Sequence, residues 1–164
     1  MTRLSRSIGP GESPDRGIAA MSSRPPRVVL DTNVIVAALR SRRGASAFLL
    51  DLVEQGRVGI ILNAPLIEEY EEVIRRPVHR RVHGLSEAEI RRFLSRLVAI
   101  AEFVEALPGV RVLLLRDPDD EMVAEAAIEG NADHLVTHNI RHFAEVADRI
   151  SILTPGRFLR TMTG

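Results

Sequence analysis

Arg27-Val28-Val29-Leu30-Asp31-Thr32-Asn33-Val34 sets an apolar, β-branched run directly against an aspartate. The run reads as a strand buried on both faces, because no polar side chain alternates with its apolar ones. A carboxylate at the end of such a strand is ill placed for stability, since desolvating it unpaired costs several kcal/mol. Asp31 is therefore either the N-cap of a following helix or an acid kept for chemistry.

Outward from this stretch, short apolar runs alternate with amphipathic ones. Thr32–Leu39 reads as a helical turn or two, and Gly44–Gln55 as a helix with Phe48, Leu49, Leu52 and Val53 on one face, closed by Gly56. Val58–Leu62 reads as a strand and Pro65–Arg76 as a helix stopped by Pro77. Ser86-Glu87-Ala88-Glu89 is a capping box opening a helix to about Glu102. Val110–Leu115 is a strand candidate, Asp117–Glu129 a helix ended by Gly130, and His134–Thr137 and Ile150–Leu153 two further strands. Pro155–Met162 makes a short terminal helix. This alternation predicts an α/β fold, a central parallel sheet of four to five strands covered by helices on both faces. Sites in such sheets form beyond the carboxyl ends of the strands, where Asp31 stands.

Length and composition bound the rest. The 164 residues suit one domain, predicted over residues 27–164. Residues 1–26, with Arg3, Arg6, Arg16, Arg24, four prolines and no periodicity, read as a disordered extension, within which Met21 is an alternative start. No run approaches the roughly 18 apolar residues of a membrane helix, and the extension lacks the apolar core of a secretory signal. Cysteine is absent, which excludes thiolate metal sites and cysteine nucleophiles and fits a reducing, cytoplasmic setting. Lysine is absent too, so a Walker-A or Schiff-base lysine is impossible. Beyond residue 26, 18 arginines face 20 acids, so bulk charge names no polyanionic partner.

Two other acids stand out. Asp117-Pro118 reads as an N-cap followed by proline at the first helical position, which places Asp120 near the middle of the apolar stripe formed by Val123, Ala124, Ala127 and Ile128. Helix 65–76 has its apolar arc at Leu66, Ile67, Tyr70, Val73 and Ile74. Glu68 and Glu72 point away from the arc, while Glu69 and Glu71 flank it on opposite sides, and periodicity does not choose between them. Acids crowded at the mouth of a parallel sheet stay ionised together only around a cation. Carboxylate oxygens suit Mg²⁺ or Mn²⁺, and such ions activate water for attack on phosphate esters.

Val29-Leu30-Asp31-Thr32-Asn33-Val34 resembles the opening motif of PIN-domain ribonucleases. Leu66-Ile67-Glu68-Glu69-Tyr70 resembles their second acidic motif, Asp117-Pro118-Asp119-Asp120 with Ala124 and Ala127 the third, and Ala132-Asp133-His134-Leu135-Val136-Thr137 the strand before the fourth. The resemblance runs from about Arg27 to the C-terminus and is nearest the toxin branch (VapC-like) of bacterial toxin–antitoxin pairs. It implies a PIN-like three-layer α/β/α fold and an endoribonuclease dependent on Mg²⁺ or Mn²⁺, with Asp31, Glu69 and Asp120 as metal-holding catalytic acids. It also implies an RNA substrate, an antitoxin partner and a homodimer. One departure matters: where relatives often carry a further aspartate, this chain has Asn139 and His142. Asp133 is no replacement, because it begins its strand at the wrong edge of the sheet. The expectation is a three-carboxylate site with Asn139 as a polar helper, His142 as a ligand, a proton donor or a surface residue, and Thr32, Asn33 and Thr137 in support.

Arg40, Arg42 and Arg43 after the first motif, and Arg75, Arg76, Arg80 and Arg81 after the glutamate helix, are candidate RNA contacts. With five Phe, one Tyr and no Trp, base stacking is a minor expectation. Two alternatives remain at this level: a PIN-like module that binds RNA or protein but cuts weakly, and, more remotely, a HAD-like phosphatase. The phosphatase pattern wants a second aspartate where Asn33 stands and a lysine that the chain lacks.

Overall fold

The computed structural model describes residues 24–105 and 115–164. The predicted strand at Val110–Leu115 lies, but for Leu115, outside the described residues, as does most of the predicted extension. Among these residues five strands, β1 (Arg27–Leu30), β2 (Gly59–Leu62), β3 (Glu102–Phe103), β4 (His134–Val136) and β5 (Ser151–Leu153), form one parallel sheet in the order β3-β2-β1-β4-β5. Helices flank it: α1 (Thr32–Arg40), α2 (Ala45–Glu54), α3 (Ala64–Arg75), α4 (Pro77–His83), α5 (Glu87–Ile100), α6 (Pro118–Glu129) and α7 (Pro155–Thr163). This is the predicted three-layer α/β/α class.

The strand order explains why β1 decides the site. The chain steps outward from β1 through β2 to β3, then returns to the other side of β1 for β4 and β5. The reversal lies between β1 and β4, and a crevice opens at the carboxyl ends of two strands whose connections diverge. Val28, Val29 and Leu30 are fully buried, as a central strand covered on both faces requires; each such side chain contributes about 1.5–3 kcal/mol relative to exposure. The register pairs Leu30 with Val136. The Asp31 amide then donates to the Val136 carbonyl at 2.9 Å, so Asp31 and Thr137 emerge side by side.

Local signals read from sequence are realised where they are local. Ser86 and Glu89 make the reciprocal capping box of α5. Asp117 caps α6 by accepting from the Asp119 amide at 3.0 Å, with Pro118 at the first helical position. After α6 the chain needs Gly130 for space: a Cβ there would lie 2.7 Å from both the Ala126 carbonyl oxygen and Ile61 Cγ2.

Other expectations are corrected. Phe48 is not on the buried face of α2 but 56% exposed, since the face is made by Leu49, Leu50, Leu52 and Val53. The helix over 65–76 does stop before Pro77, but Pro77 itself opens a further helix, α4, at the place where a missing N–H costs nothing. Edge strand β3 and a 3₁₀ segment at Ile140–Val146 carry no periodic signal and were not predicted. Arg24–Pro26, placed in the extension by composition, are tied to the domain. Arg24 grips the Asp133 carboxylate with two 3.0 Å bonds, and the Pro26 carbonyl accepts from the Gly59 amide at 2.8 Å.

Candidate active site

Asp31 occupies the backbone N-cap position of α1, yet its side chain caps nothing. Its Oδ2 instead accepts a 2.7 Å bond from the Thr137 hydroxyl. Thr137 Oγ1 in turn accepts from the Asn139 amide at 3.0 Å and from Asn33 Nδ2 at 3.4 Å, while Asn33 Oδ1 accepts from the His138 amide at 3.2 Å. These bonds lace the start of α1 to the loop after β4 across the crevice. Asp31 is 7% exposed, and burial pushes its carboxyl above the usual aspartate range against the Thr137 hydroxyl, the Thr32 amide and the imidazoles of His142 and His138. Thr137→Val removes the hydroxyl at nearly constant volume. It should raise the Asp31 carboxyl further, and a carbon-13 titration of the Asp31 carboxyl would show this as a midpoint at higher pH than in the parent chain.

Two tertiary contacts bring the other helices to this point. Tyr70, fully buried on α3, donates its hydroxyl to the Leu30 carbonyl, one residue before Asp31. Asn63, the buried N-cap of α3, accepts from the Leu66 amide at 2.9 Å and donates to the Met122 carbonyl of α6 at 3.0 Å. Glu69 and Asp120, one on each helix, thereby line a single cavity of about 600 Å³ together with Asp31. Burial and the neighbouring Glu72, Asp119 and Asp31 charges raise the Glu69 carboxyl; Arg76 opposes them. Burial and Asp31 raise Asp120, with His142 opposing. The Asp31 charge thus acts on both Glu69 and Asp120. Glu71 does not share the cavity: it is exposed and ion-paired to Arg75.

The other predicted residues divide. Thr32, Asn33, Asn139 and His142 line the cavity, and Thr137 supports it from beneath. His142 Nδ1 lies 3.1 Å from Asp120 Oδ2, which places it in the site rather than idle on the surface. Of the arginines, Arg40 and Arg76 line the cavity. Arg75 does not: its guanidinium is held by Glu71 and Glu87, which shows as a Glu87 carboxyl below the usual range. Arg42 lies in a separate depression with Asp51 and His83, and Arg43, Arg80 and Arg81 are exposed outside the cavity. Asp133 is at the opposite end of β4 from Thr137, as expected, bonded to Arg24 and to the Arg27 amide. Tyr70 and Asn63 were missed as site-building residues. Their apolar-arc and cap positions gave no sign of the cross-chain bonds they make.

Among the described residues, no three His, Asp or Glu side chains are drawn together tightly enough to hold an ion as they stand. Asp31 is turned to Thr137 and Asp120 to His142. The donor chemistry nonetheless fits a hard divalent cation. The three carboxylates face one water-accessible cavity, and burial first, with neighbouring acids added at Glu69 and Asp120, makes their ionised forms costly, a cost that a bound cation would offset.

The model of the PIN domain matches residues 27–141. The chain belongs to the PIN-domain family. The same fold recurs in solved structures. VapBC2 from Rickettsia felis, bound to a DNA fragment from their promoter, is 20% identical with a TM-score of 0.53, covering 77% of this chain and 96% of that one. VapBC-1 from nontypeable Haemophilus influenzae is 15% identical with a TM-score of 0.55, covering 79% and 98%. DNA-bound VapBC from Salmonella typhimurium is 18% identical with a TM-score of 0.53, covering 79% and 98%. At these identities the likeness is one of fold. No curated protein matches the chain. In this PIN domain the three acids and the switch-point crevice occupy one place.

Proposed function

We propose that this PIN domain is an endoribonuclease dependent on Mg²⁺ or Mn²⁺ that hydrolyses RNA phosphodiester bonds, and that it is the toxin of a toxin–antitoxin pair. The observation that carries the reading is the presence of Asp31, Glu69 and Asp120 in one cavity at the carboxyl ends of β1 and β4. Asp31, Glu69 and Asp120 would hold the cation, which supplies charge stabilisation at the phosphate and activation of water. Thr137 keeps Asp31 in one orientation and donates to its charged form. Asn139 offers an amide to a phosphate or water in the cavity, and His142, against Asp120, is placed to pass a proton to a departing oxygen. The VapBC neighbours support an antitoxin as partner. A homodimer and a cytoplasmic setting belong to the same proposal. No helix among the described residues is long and apolar enough to cross a membrane.

A second reading, a PIN module that binds but cuts weakly, is favoured by one observation: His142 stands at Asp120 where a fourth acid would strengthen the grip on cations. Incubation of a mixed RNA pool with and without Mn²⁺, beside an Asp31→Asn control, separates the two. The nuclease reading expects Mn²⁺-stimulated fragments from the parent chain alone, and uncut RNA throughout would leave the binding module.

A further inference from the structure

The acid-lined cavity does not end at Asp120. A neighbouring cavity of about 740 Å³ shares Asp117, Asp120 and His142 with it and continues to Arg116 and Arg141. The acid-lined cavity ends the other way at Arg40, Arg76 and His79. The combined trough is thus acidic in the middle and basic at both ends.

We propose that one RNA strand lies along this trough, with backbone phosphates on one side of the cut held by Arg116 and Arg141 and those on the other side by Arg40 and Arg76. The proposal rests on the nuclease reading above and adds the path of the substrate. A polyanion gains nothing from the carboxylates themselves, so its affinity must come from cations beyond them. The end arginines are available. Arg40 and Arg141 have no ion-pair partner among the described residues, and Arg116 is 95% exposed with only a 3.7 Å approach to Glu145. Arg76 pairs with the exposed Glu72, a surface contact worth little. Arg75, one residue earlier, is tied by two carboxylates and lies outside the trough, so cationic reach is sorted by pairing as well as by position. Among the described residues no Phe or Tyr lines either cavity, which favours grip on the backbone over stacking on bases.

His79 borders the Arg40 and Arg76 end of the trough without holding the strand. Its Nδ1 is buried without a hydrogen-bond partner while the residue lines the trough. Burial, then Arg40, Arg76 and His83, lower the imidazole below the usual histidine range.

The test is fluorescence anisotropy of a single-stranded RNA of about 12 nucleotides, within the range one binding groove accommodates. It is run against the full chain in an Asp31→Asn background to prevent cutting, across a series of salt concentrations. Each phosphate contact contributes about 0.7 to the slope of log K against log salt on a single strand. Arg141→Ala and Arg76→Ala should each reduce the slope by about 0.7, and the pair by about 1.4. Arg92→Ala, exposed on α5 and lining neither cavity, is the control. If Arg141→Ala behaves like the control while Arg76→Ala does not, the strand leaves the site on one side only and the trough is refuted. Cleavage by the parent chain with both arginine variants binding normally also refutes the trough and leaves the nuclease intact. A parent chain that neither binds nor cuts RNA overturns both.

Discussion

Asp31→Asn and Asp120→Asn should each lose Mn²⁺-stimulated RNA cleavage by about a thousandfold or more while remaining folded. The magnitude follows from the role. A carboxylate that holds a divalent cation against a phosphate supplies several kcal/mol of transition-state stabilisation, and each 1.36 kcal/mol is tenfold in rate. An amide keeps the shape and can still accept the Thr137 hydrogen bond, but it brings no charge. Asp31 is the more severe position because it is nearly buried and laced to Thr137 at the strand end. Initial rates on the RNA that the parent chain cuts, with circular dichroism of both variants, check this. Full activity in both would remove these acids from the mechanism.

Glu69→Gln should cost about a hundredfold or more on the same scale, two steps of 1.36 kcal/mol, whereas Glu71→Gln should stay within a fewfold of the parent. The two residues flank one helical arc and differ by two positions, yet the structure separates them sharply. Glu69 faces the cavity with its carboxyl raised by burial and by neighbouring acids. Glu71 is exposed and occupied by Arg75, and an exposed pair of this kind is worth at most about 1 kcal/mol of stability. The paired rates of the two glutamine variants decide it, and the reverse ranking would place the metal-holding face on the wrong side of α3.

The contrast shows which information the sequence carries. Signals set by neighbours in the chain were the most legible: the β1 run ending at Asp31, the Ser86 capping box, the Asp117–Pro118 start that turns Asp120 inward. The sheet class followed from alternation, and four ordered motifs pointed to the family. What was not legible depends on contacts across the fold. Periodicity left Glu69 and Glu71 equivalent; the Tyr70 hydroxyl on the Leu30 carbonyl and the Arg75–Glu71 pair break the tie. Asn63 looked like a cap and no more, because its bond to Met122 spans two distant helices. Arg24 was grouped with a proline-rich extension, since its carboxylate partner lies 109 residues away. Arg75 was grouped with phosphate-binding arginines for the same reason: charge is visible in sequence, but pairing is not.

The central claim is that Asp31, Glu69 and Asp120 share one divalent ion, and thermal unfolding with and without Mn²⁺ tests it without recourse to activity. All three carboxyls are raised in the folded chain. Each therefore favours the fold when protonated, in full below the ordinary carboxylate range, and that contribution is lost as the pH rises through the raised values. At pH 7 the ionised acids weigh against the fold, so Asp31→Asn in EDTA should melt higher than the parent. Mn²⁺ should reverse the order, stabilising the parent by about 2.7 kcal/mol at one hundred times its Kd while barely moving Asp31→Asn. Equal Mn²⁺ shifts in the parent and in the Asp31, Glu69 and Asp120 amide variants would contradict the account.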